Sequence, residues 1–101
     1  MIREAPLRYV AVFRVEADSR ETLEKAVTYA AKRFEIGKVV YACGPYHACF
    51  CHIKLEWDGE RLTVRTCMKR SIYSAVELIR QAYSWFGGRS IQITKCEEYK
   101  L

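Results

Sequence analysis

The chain has 101 residues, of which 50% are hydrophobic and 29% charged, and its formal net charge at pH 7 is +5. This length fits a single domain over residues 1–101, and the composition excludes an intrinsically disordered chain. The apolar runs are far shorter than the roughly 18 residues that cross a bilayer, and no apolar signal core follows the N-terminus. We therefore expect a cytoplasmic protein with no membrane segment.

The first half of the chain predicts a strand and then a helix. Apolar side chains alternate over residues 7–17, which is typical of a half-buried strand. Asp18 stands three residues ahead of Glu21, a spacing that resembles a capping box and predicts the start of a helix. Apolar residues then recur at helical spacing until Gly37, which predicts its end.

The middle of the chain predicts two or three antiparallel strands. Residues 39–43 read as a short strand that ends at the turn pair Gly44-Pro45. An apolar stripe of period two over residues 49–57 predicts the next strand. Asp58-Gly59 is a hairpin signal, and residues 62–67 form the returning strand.

A second helix and a last strand complete the predicted order. Ser71 is a candidate N-cap, and Gly87-Gly88 marks the end of the helix, before a strand over residues 91–96. On this helix Tyr73 and Trp85 fall off the apolar stripe, where they serve either the core and helix end or a protein partner. Two right-handed crossovers on one sheet predict an α+β, ferredoxin-like (RRM-like) sandwich, with an antiparallel sheet and two helices on one face.

Five cysteine and histidine residues lie close together in the middle of the chain and resemble a set of metal ligands by residue type alone; they are Cys43, His47, Cys49, Cys51 and His52. Alternation along a strand instead places both thiols of Cys49 and Cys51 on the apolar side, which favours buried cysteines that pack as small hydrophobes. We therefore expect no protein-bound metal or cofactor and no catalytic residue of the chain's own. A metal- or thiol-active small protein stays open as an alternative, as does disulfide formation.

Positive charge is concentrated in one foldable segment. Between Arg61 and Lys95 there are seven basic residues and one acid, Glu77, which indicates a polyanion bound by a folded surface. Alternation places Arg65 on the sheet face away from the helices, with Arg8 and Arg14 alternating in the same way on the first strand. Lys69 and Arg70 fall beside the N-terminus of the second helix, whose free backbone N–H groups attract phosphate. The candidate RNA-binding residues are Arg8, Arg14, Arg65, Lys69, Arg70 and Arg89.

Four short segments carry a resemblance to a known family. Residues 8–12 (Arg-Tyr-Val-Ala-Val) resemble the opening strand of ribonuclease P protein component 2, an archaeal and eukaryotic family. Residues 33–37 are similar to its Leu-Phe-Gly element, and residues 62–67 to its Ile-Val-Arg-Cys strand. Residues 87–91 match the passage from its last helix to its last strand. The chain departs from the family at residues 96–99, Cys-Glu-Glu-Tyr, where the family has Ser-Gly-Thr-Ile.

The resemblance implies a ferredoxin-like, non-catalytic subunit of ribonuclease P that binds the ribonuclease P RNA and precursor tRNA. It also implies pairing with a TIM-barrel protein subunit, with a homodimer inside a heterotetramer as one arrangement. In that system the RNA and its Mg²⁺ ions remove the 5′ leader. Arg65 and then Arg8 are the residues that the resemblance marks for RNA contact. The small dimerising subunit of the KEOPS tRNA-modification complex is an alternative, because its order of elements is similar.

Overall fold

The structure is a computed structural model that describes residues 2–4, 6–36, 39–44, 47–51 and 53–101, with side chains for residues 6–34 and 53–101. The predictions for Gly37, Pro45 and His52 fall outside the described residues. The elements follow in the order β1 (Ile2–Glu4), β2 (Tyr9–Ala17), α1 (Arg20–Ile36), β3 (Val39–Gly44), β4 (His47–Cys51), β5 (Ile53–Trp57), β6 (Arg61–Thr66), α2 (Lys69–Trp85) and β7 (Ile91–Lys100).

The main sheet has four strands in the order β5-β6-β2-β7. Each neighbouring pair is antiparallel. With α1 and α2 as the crossovers, this is the predicted ferredoxin-like α+β sandwich, and the fold prediction is confirmed. Neither helix in the described part of the chain is long and apolar enough to span a membrane.

A second, three-stranded sheet has the order β1-β4-β3. Strand β1 lies parallel to β4, and β3 lies antiparallel to it. The prediction of one strand over residues 49–57 is therefore wrong, because β4 belongs to this sheet and β5 to the main one. The alternation of apolar residues continues through the junction, so the pattern carries no sign of the change of partner strand.

The hydrophobic core lies between the main sheet and the two helices. Its fully buried members include Ala11 and Val64 of the sheet and Ile72 and Ile79 of α2. Five aromatic residues contribute to the core: Phe13 and Tyr83 are buried, and Tyr9, Phe34 and Trp57 lie against the core at its margin.

Both helices start differently from the sequence prediction. At α1 the side-chain oxygen of Ser19, not Asp18, accepts a hydrogen bond from the Thr22 N–H at 3.2 Å. At α2 the N-cap is Met68, which makes no side-chain cap hydrogen bond. Ser71 is a buried residue inside the first turn, so its predicted role as the cap is wrong.

Strand β7 runs four residues beyond its predicted end at Cys96. A register shift opposite Val12 and Phe13 leaves Cys96 as an extra residue, because Val12 pairs with Glu97 and Phe13 with Lys95. Such a β-bulge reverses the alternation of side chains that follow it. As a result Lys95 and Glu98 lie on the same side of the sheet.

Candidate nucleic-acid interface

The structure brings some of the predicted RNA-binding residues together at one end of the main sheet. Tyr9 pairs with Thr66 at the end of β6 and with Lys100 at the end of β7. The carbonyl oxygen of Arg8 accepts a hydrogen bond from the Leu101 N–H at 2.6 Å. Helix α2 starts at this same end. We use the name cation cluster for its four exposed basic residues, Arg8, Lys69, Arg70 and Lys100.

The N-terminus of α2 contributes a favourable environment for anions. Its first turn contains no acidic residue and no side-chain cap, so the positive end of the helix dipole is not neutralised by a side chain of this turn. The Ser71 N–H donates to the Met68 carbonyl at 3.0 Å, which leaves the N–H groups of Lys69 and Arg70 as the donors at this helix end. Lys69 and Arg70 add two cations at the same place. Cations at a helix N-terminus are unfavourable by themselves, and a bound phosphate would remove that repulsion.

A surface cleft of about 200 Å³ opens inside the cation cluster. Tyr9, Lys69, Glu98, Tyr99 and Lys100 line it. The Lys100 ammonium lies 5.4 Å from the centre of the Tyr9 ring, which holds this cation over an aromatic face. The cleft therefore brings two ammonium groups together with the Tyr9 ring.

One carboxylate in this cleft, Glu98, is already engaged. The Lys95 ammonium donates a hydrogen bond to Glu98 Oε2 at 2.8 Å. That hydrogen bond lowers the pKa of Glu98 against an opposing effect of burial, with help from the charge of Lys69, and it raises the pKa of Lys95. The Lys95–Glu98 pair is thus internally neutral, and the cation cluster keeps its positive charge.

Arg65 lies on the face of the sheet away from the helices, as predicted, but it has an acidic neighbour. Its Nε atom is 3.8 Å from Glu56 Oε1, and its side chain is 40% exposed. Lys54, directly opposite Arg65 on β5, lies 3.7 Å from the same carboxylate oxygen. Val10, the partner of Arg65 on β2, is fully buried, so part of this face is covered.

Arg14 and Arg89 lie at the opposite end of the sheet. Arg14, in β2, is six residues after Arg8, which is about 20 Å at the rise of an extended strand, and it pairs with Glu16 at 3.4 Å. Arg89 precedes Ser90, whose N–H donates to Asp18 Oδ1 at 3.0 Å. The structure therefore does not bring these two predicted RNA-binding residues to the cation cluster.

Asp18 joins three elements at that opposite end. Tyr83 donates its hydroxyl hydrogen bond to Asp18 Oδ1, and the Tyr83 hydroxyl oxygen accepts from the Ser19 N–H at 3.0 Å. The Tyr83 hydrogen bond, followed by that of Ser90, lowers the pKa of Asp18. Burial is the main cause that raises the pKa of Tyr83. This carboxylate has a structural role that ties α1, α2 and the start of β7.

The predicted cysteine and histidine cluster lies mostly outside the residues whose side chains the structure describes. Among the described residues, no group of three or more His, Cys, Asp or Glu side chains could hold a metal ion. The side chains of Cys43, His47, Cys49 and Cys51 lie outside the described set. Cys67 is disulfide-bonded, and Cys96 is a free, exposed thiol.

Sequence reasoning did not identify Tyr99 and Lys100 as part of the site. Both residues lie beyond the basic segment, which ends at Lys95, and beyond the predicted end of the last strand at Cys96. The pairing of β7 with β2 up to Lys100 is what carries these two residues to the helix N-terminus.

Comparisons of the chain with known protein families, with curated proteins and with solved structures find no match.

Proposed function

We propose that this protein is a non-catalytic, RNA-binding subunit that acts with the ribonuclease P RNA in removing the 5′ leader of precursor tRNA. The observation that carries the proposal is the cation cluster beside the N-terminus of α2, which has no side-chain cap. The ferredoxin-like topology agrees with the fold that the sequence resemblance implies.

In this proposal the cation cluster neutralises phosphates of a folded RNA. Arg8 and Arg70 present planar, forked donors that suit phosphate oxygens, whereas Lys69 and Lys100 act as compact charges. The N–H groups of the first α2 turn add donors whose positions are fixed by the backbone. Contacts of this kind position an RNA backbone and do not read its sequence, so the shape of the RNA supplies the specificity.

The test is reconstitution of precursor tRNA cleavage from the ribonuclease P RNA, a TIM-barrel protein subunit of that enzyme and this chain. We expect the chain to raise the cleavage rate or to lower the Mg²⁺ concentration required, because it neutralises phosphates that would otherwise need cations. A Lys69→Gln/Arg70→Gln variant should lose most of this gain.

The matched control is Arg14→Gln/Arg20→Gln, which removes two exposed arginines that already pair with Glu16 and Glu24. This control should behave as the unmodified chain does. No gain in rate or Mg²⁺ economy from the unmodified chain would overturn the proposal. A tight self-dimer with no affinity for structured RNA would instead favour the KEOPS alternative.

A further inference from the structure

Three aromatic side chains form an exposed group where the end of α2 meets α1. Tyr29 of α1 is 37% exposed, Trp85 at the end of α2 is 63% exposed, and Phe86 just after it is 44% exposed. The Tyr29 ring lies 6.1 Å from that of Trp85 and 5.9 Å from that of Phe86 (centroid to centroid), with interplanar angles of 86° and 78°. We use the name aromatic patch for these three residues.

The backbone around the aromatic patch is well fixed. The Phe86 N–H donates to the Ala82 carbonyl at 3.0 Å, and the Gly88 N–H donates to the Tyr83 carbonyl at 2.9 Å. The edge-to-face contacts of Tyr29 with both other rings restrict the ring orientations further. A ligand therefore meets aromatic surface that is already ordered, so that little conformational entropy is lost on binding.

The residues around the aromatic patch are basic. Positions three and four residues away on a helix are neighbours on its surface, and for Tyr29 these include Lys25, Lys32 and Arg33, all exposed. Lys25 lies 3.8 Å from a carboxylate oxygen of Glu21, whereas Lys32 and Arg33 have no ion-pair partner among the described residues.

The surroundings of the aromatic patch favour a nucleic acid over a protein as the ligand. The core of a protein interface is depleted in charged residues, but here three exposed basic residues are the helical neighbours of Tyr29. Of the large hydrophobic side chains exposed in the described part of the chain, all except Leu101 are aromatic, so the aromatic patch has no aliphatic extension. Exposed rings beside cations are the combination that binds single-stranded nucleic acid, through base stacking and phosphate contacts.

We infer that the aromatic patch binds an unpaired segment of RNA, with one or more bases stacked on Trp85 and phosphates beside Lys32 and Arg33. This inference rests on the proposed RNA-binding function and adds a second contact. Helix α2 has 17 residues, so at 1.5 Å per residue the aromatic patch lies about 25 Å from the cation cluster at its other end. One RNA can engage both places only if it passes from a folded part to an unpaired part over that distance.

The test uses a 12-nucleotide oligouridylate and the intrinsic fluorescence of the protein. The chain has two tryptophans, so a Trp57→Phe variant reports on Trp85 alone. We expect the oligouridylate to quench this emission, and the same strand in a duplex with oligoadenylate to quench it much less. Truncation of Trp85 to alanine should weaken binding of a labelled oligouridylate roughly 5- to 100-fold, as stacking of one or more bases implies, and Trp85→Phe should restore part of the affinity.

Tyr73→Ala is the matched control, because Tyr73 is also an exposed aromatic residue of α2, at 54%, but lies near its other end. It should change the affinity less than twofold. Oligouridylate binding that Lys69→Gln/Arg70→Gln weakens and Trp85→Ala does not would overturn this inference and leave the proposed function standing. Failure of the unmodified chain to bind any RNA would remove both. Quenching of Trp85 by an acidic leucine–glutamate peptide at lower concentration than by oligouridylate would also overturn it, in favour of a protein ligand.

Discussion

Replacement of Lys69 and Arg70 by glutamine should reduce the salt dependence of RNA binding by a defined amount. Each phosphate contact contributes about −0.7 for single strands to −0.9 for duplex to the slope of log affinity against log salt concentration. Four residues of the cation cluster together with Arg65 give five contacts and a slope of about −3.5 to −4.5. The double variant keeps three contacts, and its slope should be about −2.1 to −2.7.

These slopes correspond to a large difference in a simple titration. Between about 50 and 200 mM salt, the affinity of the unmodified chain for ribonuclease P RNA should fall roughly 130- to 500-fold, and that of the variant only roughly 20- to 40-fold. Fluorescence anisotropy of end-labelled RNA at fixed Mg²⁺ measures both. The smaller slope of the variant would not reflect unfolding. Cations are unfavourable at a helix N-terminus, so the two substitutions are not expected to destabilise α2.

The control substitutions lie at the other end of the sheet, and two outcomes would contradict the prediction. Arg14→Gln/Arg20→Gln removes the same formal charge from residues paired with carboxylates, and its slope should equal that of the unmodified chain. Equal slopes for the two double variants would show that RNA responds to net charge and not to the cation cluster. An unchanged slope in Lys69→Gln/Arg70→Gln would show that the RNA phosphates lie elsewhere.

Two further predictions concern the structural end of the molecule. A β-carbon added to Gly88 would overlap the buried Tyr83 ring, so Gly88→Ala should lower the free energy of unfolding by about 2–3 kcal/mol, the upper part of the range for an overpacked site. Gly87→Ala, with φ +94° but nothing within 4 Å, should cost about 1 kcal/mol; equal losses in urea unfolding would contradict the overlap. Hydrogen bonds lower the pKa of Asp18 below its usual 3.8 in the folded state, so the stability this carboxylate adds is present above that pH and is lost as the pH falls through the folded value. The stability difference between the unmodified chain and Asp18→Asn should therefore shrink in acid, and a difference independent of pH would contradict this role.

The main fold could be predicted because the relevant signals are local. Alternation over β2 and helical spacing over α1 and α2 each depend on a periodicity of two or 3.6 residues within one element. The hairpin at Asp58 is likewise local, and the Asp58 carboxylate accepts hydrogen bonds from the N–H groups of Glu60 and Arg61 at 2.9 and 2.6 Å. Once these elements are known, right-handed crossovers leave few ways to order the four strands.

The extension of β7 could not be predicted, because it depends on a partner strand. A strict period of two would place Lys95, Glu97 and Tyr99 on one side of the sheet. The bulge at Cys96 instead brings Lys95 to the side of Glu98, where the two form their ion pair. Nothing in the composition of residues 96–99 signals a bulge, since the bulge arises from the register between β7 and β2.

The charges of the candidate site show the same dependence on partner strands. The count of basic residues gave Arg65 and Lys69 equal weight, but cross-strand neighbours separate them. Arg65 lies near Glu56, which comes from β5, a different strand, and a carboxylate at this distance lowers the attraction of the arginine for phosphate. Lys69 is the first residue of α2 and lines the same cleft as Lys100, and the nearby carboxylate, Glu98, is already hydrogen-bonded to Lys95. For this reason the phosphate contacts of the proposed function are expected at the end of the sheet where α2 begins, with Arg65 at the edge of that surface.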